Sequence, residues 1–128
     1  MDAEKAKKQA REFLETLQSG NIEGALAMVT ADAKLKIFNN ELPDGFRVLG
    51  GMIPALFNGL PTREFTAQYV DGDTVVSQVT IRGTTKGGDP YENYYVIFLR
   101  FAGDKVAAMQ EYMDSAYANQ KFAFAQQS

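Results

Sequence analysis

The 128-residue sequence contains no cysteine, no histidine and no tryptophan, and these absences remove whole classes of chemistry. Without a thiol or an imidazole there is no cysteine nucleophile, no serine-histidine triad and no ordinary structural zinc site. Any proton transfer has to run on carboxylates, tyrosines, lysines, arginines, hydroxyls or amides. Long apolar runs are missing as well: none approaches the roughly 20 residues that cross a bilayer. No apolar signal core precedes the charged opening MDAEKAKKQAREF, so a cytoplasmic location and no membrane partner are expected. Nor is there a concentrated basic face. Thirteen Lys and Arg are set against 16 Asp and Glu, for a net charge of -3, and basic residues such as Lys5, Lys7, Lys8 and Arg11 alternate with acids, which argues against a nucleic-acid partner.

What remains is a globular composition, 45% hydrophobic and 23% charged, at a length that suits one domain over residues 1–128. Ala6, Ala10, Phe13, Leu14 and Leu17 recur at three- and four-residue spacing behind Asp2, predicting a helix over 3–18. Gly20 stops it, and Asn21 caps a second helix with Ile22, Ala25, Leu26 and Val29 inward. Residues 33–39 alternate as a strand, and Pro43-Asp44-Gly45 marks a turn. A short helix follows over 52–58, with Pro54 in its first turn.

The rest reads as an antiparallel meander over about 64–71, 73–83, 91–102 and 104–113, broken at Asp71-Gly72, Thr85–Pro90 and Gly103-Asp104. A last helix is expected over 115–125 with Asp114 as its N-cap. This order predicts an α+β fold with helices on one face of a bent sheet. In 105–114, alternation sets Val106, Ala108 and Tyr112 on one side and Ala107, Met109 and Met113 on the other, so both faces need cover. A second copy of the sheet is the simplest cover for the outer face, which predicts a homodimer. Gly87-Gly88-Asp89-Pro90 lacks the Gly-Lys-Ser/Thr and following helix of a phosphate loop. Neither a cofactor nor a metal is expected.

The element order, with Phe98-Leu99-Arg100-Phe101, Gly103-Asp104-Lys105-Val106, Gln110-Glu111-Tyr112-Met113-Asp114 and the Arg82-Gly83-Thr84 strand end, resembles the SnoaL-like branch of the nuclear-transport-factor-2-like, or ketosteroid isomerase-like, superfamily. The resemblance implies a cone-shaped fold: a strongly bent antiparallel sheet packed on three N-terminal helices, enclosing one pocket, usually in a homodimer through the outer sheet face. Relatives of this kind include polyketide cyclases, ketosteroid isomerases and limonene epoxide hydrolase, beside non-catalytic binding modules, so the fold leaves function open.

Matching those strands places Glu111 inward between Met109 and Met113, the candidate catalytic carboxylate. The resemblance lines the pocket with Leu35, Ile37 and Asn39, with Val76, Gln78, Thr80 and Arg82, and with Asn93, Tyr95 and Ile97. Of these, Leu35, Ile37, Asn39, Gln78, Thr80, Arg82, Asn93, Tyr95, Met109 and Met113 are the candidate ligand contacts. Epoxide hydrolysis is disfavoured, since its Arg and first Asp fall on Gln78 and Thr80, and its water-holding Tyr and Asn on Leu35 and Ile37. Steroid isomerisation is disfavoured because the first helix offers Phe13 and Leu14 where a tyrosine is expected. A cyclase or isomerase of SnoaL type asks for one base and a few enolate donors. Glu111 is that base if its surroundings are apolar, and a structural acid if Arg82 pairs with it. The expected ligand is a small apolar carbonyl compound; the competing reading is a binding or dimerisation module without turnover.

Overall fold

A computed structural model describes residues 2–122. Helix α1, Ala3–Gln18, begins where the Asp2 side chain accepts a hydrogen bond from the Lys5 N–H at 2.8 Å, a cap that stabilises by about 1 kcal/mol. The predicted stripe of Ala6, Ala10, Phe13, Leu14 and Leu17 is its buried face. Gly20, at φ 86°, turns the chain back, and Asn21 accepts from the Gly24 N–H at 2.9 Å to start α2, Ile22–Leu26. Val29 leaves this helix, contrary to its periodicity. β-branched Val29 and Thr30 favour extended backbone and open strand β1, Val29–Ile37.

β1 turns through Phe38 and Asn39 into the short strand β2, Asn40–Glu41. Helix α3 covers Gly45–Leu56 and so starts well before Met52. Its glycines and the Pro-Asp-Gly turn hide the first turns from sequence patterning, yet packing requires one of them. A Cβ on Gly45 would come within 2.8 Å of the Leu35 Cβ, so glycine lets α3 seat directly on β1. The meander follows as β3, Thr62–Asp71, β4, Thr74–Thr84, β5, Pro90–Ala102, and β6, Lys105–Met113. Helix α4, Ser115–Phe122, is capped by Asp114, whose side chain accepts from the Tyr117 N–H at 3.0 Å; its expected extension over 123–125 lies outside the described residues.

The six strands form one curled, unclosed sheet in the order β2-β1-β6-β5-β4-β3. Every pair is antiparallel except β1 with β6, which is parallel. Those two strands are joined through most of the chain, so no tight turn sets their direction. Bulges interrupt β3 between Phe65 and Ala67, and the β5–β6 pair at Arg100/Phe101; such insertions bend strands. The second bulge inserts Ala107, so Val106 joins Met109 in the core instead of facing away from it. The concave sheet face and the helices bury Phe13, Leu14, Leu17, Leu35, Val75, Val79, Ile97 and Leu99, each worth about 1.5–3 kcal/mol of transfer free energy. Among the described residues no helix is long and apolar enough to cross a membrane.

Candidate functional site

Where the sheet curls away from α3, the core leaves a cavity of about 210 Å³. Leu49, Met52, Ile53 and Leu56 of α3 form one wall, and Ser115, Ala118, Asn119 and Phe122 of α4 another. The sheet contributes Ile37, Arg63, Ile81, Tyr95, Met109, Glu111 and Met113, with Leu17, Gln18, Phe38 and Phe57 completing the lining. The ionisable groups in this lining are Arg63, Tyr95 and Glu111. An engineered cavity of about 150 Å³ holds benzene, so this space suits a ligand of roughly eight to ten non-hydrogen atoms.

Glu111 owes its position to strand alternation. Counting from Met109, every second residue of β6 faces the cavity, and the paired neighbours of Glu111 are Ile37 of β1 and Ile97 of β5. Its backbone carbonyl accepts from the Phe38 N–H at 2.9 Å. Burial at 5% exposure strips water from the carboxylate and pushes its pKa up to about 7, partly offset by the positive field of Arg63.

Arg63 is the counter-charge, and it comes from the edge strand β3. Neither a hydrogen bond nor a contact ion pair joins the two side chains among the described residues, and the Arg63 Nε and Nη1 are buried without an acceptor. Burial lowers the guanidinium pKa to about 10 against the pull of Glu111, Glu15 and Tyr95.

Tyr95 brings a polar chain into the cavity. Its hydroxyl lies 2.7 Å from the Tyr91 hydroxyl, which accepts from Asn93 Nδ2 at 2.9 Å; that amide also donates to the Asp114 carbonyl at 3.1 Å. With Tyr91 donating to Tyr95, the Tyr95 hydroxyl hydrogen is left for a ligand. Burial raises the pKa of both phenols, so they act as neutral hydrogen-bonding groups.

The structure thus brings Glu111, Ile37, Tyr95, Met109 and Met113 together and puts the other expected residues elsewhere. Leu35 is core, at 1% exposure. Asn39 is exposed in the β1–β2 turn. Asn93 is buried behind the cavity as the anchor of Tyr91. Gln78, Thr80 and Arg82 fail for one shared reason: β4 turns Val75, Ser77, Val79 and Ile81 inward, and a one-residue slip flips every side chain to the other face.

Arg82 lies on the outer face, paired with Glu64 at 2.8 Å and Glu92 at 2.6 Å, so it cannot pair with Glu111. The inward residues of β4, Val75, Ser77, Val79 and Ile81, include neither an Arg nor an Asp, so this strand gives epoxide hydrolysis no support either. Arg63 escapes the sequence reading because the predicted strand begins at residue 64. Extending the alternation back from inward-facing Phe65 would have put Arg63 on the cavity face.

Several solved structures share this architecture. AclR from Streptomyces galilaeus superposes with a TM-score of 0.80 at 17% identity, over 95% of this chain and 98% of that one. PrhC from Penicillium brasilianum also gives 0.80, at 19% identity over 96% and 91%. A protein of ketosteroid isomerase-like fold from Catenulispora acidiphila, solved with trimethylamine, gives 0.69 at 16% identity over 84% and 86%. At such identities the likeness establishes the fold. No curated protein matches the sequence. The family model of the SnoaL-like domain, however, matches residues 10–109, and with most of its length covered the chain belongs to the SnoaL-like family.

Proposed function

We propose that the protein binds a small, largely apolar carbonyl compound in this cavity and moves a proton on it, with Glu111 as the base. The observation that carries the reading is a carboxyl buried to 5% exposure in a pocket otherwise dominated by aliphatic and methionine side chains; that burial pushes its pKa up to about 7, and a base works best when its pKa lies near the operating pH. A Glu111 oxygen takes the proton from the carbon beside the carbonyl. The C–H electron pair becomes the carbon–carbon π bond, and the carbonyl oxygen takes up the negative charge, with the Tyr95 hydroxyl available to donate to it. Reprotonation at another carbon gives isomerisation; attack of the enolate on a second carbonyl gives cyclisation.

The test needs no natural substrate. Deuterium incorporation from heavy water into small cyclic ketones is followed by mass spectrometry for the wild type and for Glu111→Gln. The expected result is catalysed exchange that falls by about 10²-fold or more in the variant, the usual contribution of a general base. Equal exchange by the two proteins rejects the proposal.

Binding without turnover is the second reading, favoured by the cavity size: about 210 Å³ lies below the roughly 300 Å³ at which small-molecule sites usually begin. Under that reading ketones raise the unfolding temperature but do not exchange.

We further propose a homodimer through the outer sheet face. Tyr69, Tyr94, Phe98 and Tyr112 are exposed aromatic side chains there, at 60%, 62%, 36% and 38%. Arg100 pairs across to Ala108 on this face, whereas the Glu64–Arg82–Glu92 cluster keeps one net negative charge toward the other end, so a two-fold arrangement can set unlike charges against each other. Phe98→Glu is expected to give a monomer in sedimentation analysis; an unchanged mass contradicts this interface.

A further inference from the structure

Arg63 holds charged donors in a place where proteins rarely leave them unused. Its Nε and Nη1 are buried and have no acceptor among the described residues, and an unsatisfied buried polar group costs about 1–3 kcal/mol, more when charged. Among the described residues nothing relieves that cost: the carboxyl in the same cavity, Glu111, neither bonds to Arg63 nor forms a contact pair with it, and it acts only through its field. Glu15 of α1 and Tyr95 of β5 act on the guanidinium in the same way. The described α3 and α4 residues of the lining add no ionisable group.

We propose that Arg63, which lines the cavity, is its anion-receiving residue, the guanidinium taking the oxygen of a planar conjugated anion while Glu111 carries the balancing proton. The inference rests on the proton-transfer reading above and gives the substrate its class: planar conjugated carbonyl compounds of roughly eight to ten non-hydrogen atoms, bound with the carbonyl oxygen toward Arg63.

Charge is conserved within the cavity throughout the step. With Glu111 ionised and Arg63 charged, the pair is neutral and receives a neutral carbonyl compound. Transfer of the substrate proton to Glu111 moves one negative charge from the carboxylate to the enolate oxygen, and the net charge of the cavity stays zero. An oxyanion partner fixed in an apolar site needs little reorganisation and stabilises the charge strongly. A stable anion of the same shape should bind in the same way, but only together with a proton on Glu111.

Benzoate supplies that anion and benzamide its neutral isostere; both are measured by titration calorimetry in two buffers of different ionisation enthalpy. At about pH 6 the wild type is expected to prefer benzoate about tenfold or more. Above about pH 7, benzoate binding should take up close to one proton and weaken about tenfold per pH unit, while benzamide binding stays flat. Arg63→Met should abolish the preference, Arg63→Lys should keep part of it, and Glu111→Gln should bind benzoate without pH dependence.

The proposal is overturned if the wild type prefers benzamide or shows no preference, if it takes up neither compound at millimolar concentration, or if folded Arg63→Met binds benzoate as the wild type does. Should Arg63→Met fail to fold, preference and proton uptake in the wild type decide alone. The two claims can fail separately. Unchanged ketone exchange in Glu111→Gln removes the base and leaves the anion site standing, whereas lost exchange with no benzoate preference does the reverse.

Discussion

Arg63 on β3 and Glu111 on β6 line one cavity from strands separated by β4 and β5 in the sheet order, and no bond joins them. The curl of the sheet brings both into the same space, and that separation is why the carboxyl keeps a raised pKa. A contact pair would have held Glu111 ionised and left it a poor base; a field acting at a distance only partly offsets its desolvation.

Stability should therefore depend on pH in an unusual direction for a carboxyl. The folded value of about 7 lies above the ordinary 4.5, so the native state holds the proton more tightly than the unfolded chain. The contribution of Glu111 is fully favourable below about 4.5, falls as pH rises toward 7, and above that leaves the protein about 3 kcal/mol less stable than a permanently neutral side chain would. Glu111→Gln is expected to unfold at a higher temperature than the wild type at about pH 8, and the gap should close near pH 4.5. A variant less stable than the wild type at pH 8 would contradict the assignment.

Arg82 gives the complementary control. Its partners Glu64 and Glu92 are on the outer face, and exposed pairs contribute little. Arg82→Gln should leave ketone exchange and ligand affinity within about twofold of wild type, as a group outside the cavity must. A loss comparable to that of Glu111→Gln would mean that β4 has the opposite register.

That register is the main place where sequence and structure part. Helix α1, both early caps, the four meander strands and the Asp114 cap all carry local signals, and they stand within a residue or two of where the patterns put them. For β4 the family resemblance implies Val76, Gln78, Thr80 and Arg82 as the inward set. The chain's own alternation of Val75, Val79 and Ile81 marks the other face. Ser77 blurred that signal, and its hydroxyl is satisfied by Gln68 Nε2 at 3.1 Å. Glu111 was legible because methionines flank it at i−2 and i+2. The helix α3 wall is half hidden by glycines, and the close packing of Gly45 on Leu35 and of Gly50 on Ile22 is something periodicity cannot register.

Ala118 tests whether the cavity is a ligand site at all. It is buried at 8% exposure and lines the void, so Ala118→Leu adds aliphatic volume where there is room. Filling an apolar void recovers part of the roughly 24 cal/mol per Å³ that empty volume costs; the unfolding temperature should hold or rise while affinity for cyclic ketones drops about tenfold or more. Undiminished ketone affinity in a folded Ala118→Leu protein would place the ligand elsewhere.

The most direct measurement is the ionisation of Glu111 itself, followed by carbon-13 NMR of side-chain-labelled glutamate, with Glu111→Gln to assign the resonance. A midpoint near 7 is expected, shifted upward in Arg63→Met as the opposing positive field is removed. A midpoint near the ordinary 4.5 would contradict it, because Glu111 would then be a hydrated or paired surface-like acid and not a base held in an apolar cavity.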